Sequence, residues 1–156
     1  NLLSSKRSLI HAKKIDRVGV ILNLNEFDNY DALRQLLKSI GVKDNKVSFL
    51  GFIEDEKEIP NSWDSFFYAK DFGWKGKVEN VDFKEFTNQP FDALISYYKE
   101  DKYELSLATA MSKANFKIGL TTHDERLNDF IIDVQPKELN VFKTELIKYL
   151  KVLNKI

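Results

Sequence analysis

Apolar residues recur along the chain in two alternating rhythms. Short β-branched runs bounded by polar residues mark strands buried on both faces, and apolar positions three and four apart mark helices. Arg17-Val-Gly-Val-Ile-Leu-Asn23 is the first such run. A helix should follow it, with Asp28 as cap, Asp31 as the capping-box acid and Leu33, Leu36, Leu37 and Ile40 on one face up to Gly41. Lys46 to Phe52 reads as the second strand, so 17 to 52 is a strand-helix-strand unit whose strands should lie parallel through a right-handed connection. Ser65 to Ala69 is a third strand, Phe83 with Phe86 suggests a brief helix before Pro90, and Phe91 to Tyr97 is a fourth strand. Leu105, Leu107, Ala108 and Met111 place a helix over Tyr103 to Lys113. Phe116 to Leu120 and Asp129 to Val134 complete the strands, and Leu139, Phe142, Leu146, Tyr149 and Leu153 form the stripe of a closing helix from Glu138.

This alternation predicts an α/β fold of Rossmann-like type, a doubly wound and mainly parallel six-stranded sheet of order 3-2-1-4-5-6. Ahead of it, Leu2, Leu3, Leu9 and Ile10 pair seven residues apart, with Lys6, Arg7, Lys13 and Lys14 around them. Residues 1 to 14 therefore read as an amphipathic basic helix, and residues 15 to 156 as a single α/β domain. Gly119 and the small Ala114 are expected to let the fifth strand begin tightly after its helix.

A chain of 156 residues with 43% hydrophobic and 31% charged residues can bury one core without a disulfide or structural metal. The absence of cysteine excludes thiol catalysis, iron-sulfur clusters and thiolate zinc sites, and points to a cytoplasmic protein. No apolar run is long enough to span a membrane. The net charge is zero but polarised. Residues 1 to 15 hold four bases and no acid, residues 137 to 156 hold five lysines against two glutamates, and the stretch between them holds 15 bases against 22 acids.

Ligands of open α/β sheets bind beyond the carboxyl ends of the strands where strand order reverses, here between the first and fourth strands. Asn23, Asn25 and Glu26 on one side, and Tyr97 and Lys99 on the other, are the candidate ligand-binding residues. Solvated loops carry the same residue types, and that plainer reading outweighs the functional one. A dinucleotide site needs glycines in the first turn so that backbone donors reach the pyrophosphate. Asn23-Leu-Asn-Glu-Phe-Asp28 has none and sets Glu26 and Asp28 where phosphates would sit, which argues against NAD or ATP and leaves no cofactor expected.

Other motifs carry less. Asp71-Phe-Gly73 spells the kinase metal-binding tripeptide without the catalytic loop or glycine-rich loop that give it meaning. Gly73-Trp-Lys-Gly76 reads as a turn returning Trp74 to the sheet. His11 and His123 stand far apart without clustered acids, so neither a metal site nor a catalytic residue is assigned. Thr121-Thr-His-Asp124 reads first as a hydroxyl-rich loop. The crowded aromatics Phe66, Phe67, Tyr68, Phe72 and Trp74 suit a core better than base stacking, because their neighbourhood is acidic. No nucleic-acid partner is therefore expected.

Phe91-Asp-Ala-Leu-Ile95, a helix, Ser112-Lys-Ala-Asn-Phe-Lys-Ile-Gly119 and Asp71-Phe-Gly-Trp74 together resemble a family of short, uncharacterised bacterial proteins known only as a domain of unknown function. The same cadence is similar to the amino-terminal Rossmann-like half of heptosyltransferase-like glycosyltransferases, a resemblance that implies fold and not activity.

Two function classes remain. One is a non-enzymatic binding or adaptor domain with a filled sheet end, engaging a protein partner through Leu2, Leu3, Lys6, Arg7, Leu9 and Ile10. The other is a small-molecule-binding or degenerate glycosyltransferase-like enzyme using Asn25, Glu26 and Lys99. Docking of the first segment on an anionic membrane is disfavoured, because its stripe has four large apolar residues and no aromatic anchor.

Overall fold

The computed structural model describes residues 14–55, 64–73 and 77–156. Within them, strands β1 (Val18–Asn23), β2 (Val47–Ile53), β3 (Ser65–Tyr68), β4 (Ala93–Tyr97), β5 (Lys117–Gly119) and β6 (Phe130–Ile131) form one sheet. Its order is β3-β2-β1-β4-β5-β6, and every pairing is parallel. The four helices are α1 (Tyr30–Ser39), α2 (Val81–Asn88), α3 (Tyr103–Met111) and α4 (Leu139–Val152).

The side-chain period of two divides each central strand between two cores. Val18, Val20 and Leu22 of β1 pack with Leu33, Leu36 and Leu37 of α1 and with Phe142, Leu146 and Leu150 of α4. Ile21 faces the other way, in a core with Phe83 and Phe86 of α2 and Leu105 and Ala108 of α3. All six residues of β1 are buried, as a strand covered by helices on both sides requires. Phe52, Phe67, Phe72 and Phe83 form a chain of ring contacts, which places Phe67 in the core and Phe72 against it, while Phe66 and Tyr68 are half-buried.

Several expected boundaries shift. Asn29, not Asp28, caps α1, its Oδ1 accepting from the Ala32 N–H at 3.1 Å. Asp28 instead lends its carbonyl to the Tyr30 N–H. β6 has two residues rather than six, because its ladder reaches only from Ile118↔Phe130 to Gly119↔Ile131. Lys14 is not helical. Its Nζ donates to Asn154 Oδ1 and the Ile156 carbonyl, and the Ile15 N–H donates to the Lys155 carbonyl, so the chain meets its own carboxyl end just before β1. The rest of the helix expected over 1 to 14, residues 1 to 13, and the turn around Trp74 lie outside the described residues. No helix among the described residues is long and apolar enough to cross a membrane.

Candidate functional site

The reversal of strand order falls between β1 and β4, and there the polar residues at the strand ends bind one another. Asn23 is wholly buried at the last position of β1. Its Oδ1 accepts from the Asn25 N–H at 3.2 Å, and its carbonyl accepts from the N–H groups of Glu26 and Phe27, which turns the chain back across the strand end. The turn thus depends on a short amide side chain instead of glycine.

That turn delivers Glu26 to the other side of the crevice. Its carboxylate accepts from the Lys99 N–H, 3.1 Å from each oxygen, and from the Glu100 N–H at 3.1 and 3.2 Å. Asn23 Nδ2 donates to the same group at 3.1 Å and to Glu100 Oε2 at 2.9 Å. An acidic side chain therefore occupies the crevice at which doubly wound sheets in general bind their ligands.

The network extends across the same end of the sheet. Asn25 Nδ2 donates to Glu54 Oε2 at 2.7 Å, and Lys102 Nζ donates to Glu54 Oε1 at 2.5 Å and lies 3.7 Å from Glu100. The Glu54 hydrogen bond holds the Lys102 ammonium above its ordinary range. Lys99 Nζ donates to the Leu120 carbonyl at 3.0 Å and to Asp133.

Of the five candidate ligand residues, Asn23, Asn25, Glu26 and Lys99 thus share one network. Tyr97 does not join it. Residue parity sends its ring into the core between β4 and α4, against Phe27 and Phe142, and its hydroxyl donates to the Pro136 carbonyl at 2.6 Å. Glu54, Lys102 and Asp133 were absent from that set. Glu54 directly follows β2, so its place at the same sheet end was available from the strand assignment. Lys102 and Asp133 stand beyond their strands in loops whose course the letters do not specify.

Thr121 is buried and its hydroxyl accepts from the His123 N–H, so this loop folds on itself. Next to it, Asp124 takes both Nε and Nη2 of Arg126, which hold its carboxyl below the usual range. Among the described residues no group of three or more His, Cys, Asp or Glu side chains has the arrangement of a metal site.

The sequence profile of one family matches residues 1–153, nearly the whole chain. The chain belongs to the family of unknown function DUF6913. No curated protein and no solved structure matches it significantly.

Proposed function

We propose that this protein is a non-enzymatic binding or adaptor module that engages a protein partner in a bacterial cytoplasm. The supporting observation is the seat taken by Glu26: the carboxylate lies on the Lys99 and Glu100 N–H groups, in the crevice where this fold otherwise receives ligands. Recognition then falls to other surfaces. The sequence of residues 1 to 13, with Leu2, Leu3, Leu9 and Ile10 among Lys6, Arg7 and Lys13, combines apolar and basic residues in a way suited to an acidic protein.

Affinity capture from the native source tests this, comparing the full chain with one lacking residues 1–13. That truncation keeps Lys14 and its bonds to the carboxyl end. The truncated chain should fold with an unchanged melting temperature and lose a partner that the full chain retains in stoichiometric amount. Equal capture by both chains moves the surface elsewhere. Cosedimentation of the full chain alone with anionic vesicles would put a membrane in the partner's place.

A second reading keeps a small-molecule or degenerate glycosyltransferase-like site at Asn25, Glu26 and Lys99, in line with the heptosyltransferase-like cadence. It is favoured by the gathering of those residues in one network at the sheet end. A stoichiometric small molecule released on denaturing the natively purified protein would decide for it.

A further inference from the structure

The consecutive N–H groups of Lys99 and Glu100 converge on a single carboxylate, the arrangement by which short runs of backbone donors bind anions. We propose that these amides form a carboxylate-binding site of which Glu26 is the resident, internal ligand, and that withdrawing Glu26 opens it to small monocarboxylates.

The ligand class follows from shape and charge. Each amide reaches both oxygens of the present occupant at 3.1 to 3.2 Å, which suits a planar two-oxygen group. Asn23 Nδ2 adds a third donor from a wholly buried side chain. Around the seat, Lys99 and Lys102 are already paired with Asp133 and with Glu54 and Glu100. The acids outnumber the bases, so a single negative charge replacing that of Glu26 is accommodated and a dianion such as phosphate is repelled. In the native chain Glu26 is held three residues from Asn23, at an effective concentration that free carboxylates do not match. The site is closed from within for that reason.

This deepens the closed-end reading but fails separately from it, because its test does not involve residues 1–13 or any protein partner. Sodium acetate is titrated into wild type and Glu26→Ala, against sodium chloride at equal ionic strength, acetamide and inorganic phosphate. Melting temperature and the backbone amide resonances of Lys99 and Glu100 are followed. Acetate should raise the melting temperature of Glu26→Ala along a saturating curve, with at least about twice the shift it gives wild type, and should move both resonances. Acetamide and chloride should do neither, and phosphate should act more weakly than acetate. If Glu26→Ala is unfolded in chloride, acetate should restore its folded circular-dichroism spectrum. The proposal is overturned by a folded variant whose resonances ignore acetate, by an unfolded one that acetate does not rescue, by equal responses in wild type and variant, or by tighter binding of phosphate.

Discussion

The carboxamide of Asn128 lies directly over Gly119, so that a β-carbon at position 119 would stand 2.2 Å from Nδ2 and 2.6 Å from Cγ. Gly119 closes β5 rather than starting it, and its lack of a side chain admits the returning loop before β6. Gly119→Ala should therefore cost about 1–3 kcal/mol as overpacking, and Gly119→Val more. Chemical denaturation of the double variant Gly119→Ala/Asn128→Ala should show less loss than the sum of the single changes. Strict additivity would mean that another neighbour enforces the glycine.

Sequence patterns carried the topology because it rests on long-range features that leave local traces. The run Val18 to Leu22 is apolar at every position except Gly19, which marks a strand buried on two faces, and Leu33, Leu36 and Leu37 repeat at helical spacing. β6 left no such trace, since its length is set by how far β5 can pair with it and not by its own apolar residues. At the sheet end the acidic, glycine-free turn itself was legible. Its actual use was not, because the donors that Glu26 meets are main-chain groups 73 and 74 residues away.

Gly41 ends α1 with φ +95° in the left-handed region. The Gly41 N–H reaches the Lys38 carbonyl and the Val42 N–H the Leu37 carbonyl, the paired bonds of a Schellman motif, and Val42 and Leu37 share the core beneath it. No atom lies within 4 Å of a β-carbon built there, so replacement meets conformational cost alone. Gly41→Ala should lower the unfolding free energy by about 1 kcal/mol without altering the denaturant slope. Gly41→Asn should cost less, since asparagine tolerates this region.

Alkali should unfold the protein through its buried phenols. Burial raises Tyr98 to about 12 and lifts Tyr30 and Tyr97 further, against an ordinary value of 10.0. Because the folded values lie above the unfolded one, this stability is complete below pH 10 and is lost as pH rises from there. Tyr98 removes about 1.4 kcal/mol per pH unit once the unfolded chain ionises, up to its own folded value, and Tyr30 and Tyr97 act in the same direction. Urea midpoints should fall steeply between pH 10 and 12, and tyrosinate absorbance should rise in two stages. Part of the six-tyrosine signal should appear only with unfolding. A single smooth titration with a constant urea midpoint would contradict this assignment.

Tyr97 should prove structural. Its hydroxyl donates to the Pro136 carbonyl at 2.6 Å, two residues before the Glu138 cap of α4, and its ring meets Phe142 of that helix edge-on at 5.0 Å. Phenylalanine at 97 keeps the ring contacts and deletes the donor, leaving a buried carbonyl without it. Such a loss costs about 1–3 kcal/mol, whereas Tyr103→Phe, at a side chain 64% exposed, should change stability little. The missing bond also frees the segment leading into α4. Hydrogen exchange in Tyr97→Phe should therefore quicken at Glu138 to Phe142 more than in β1 or β2. If stability and exchange match wild type while acetate binding to a Glu26→Ala background is lost, Tyr97 belongs to the ligand crevice after all.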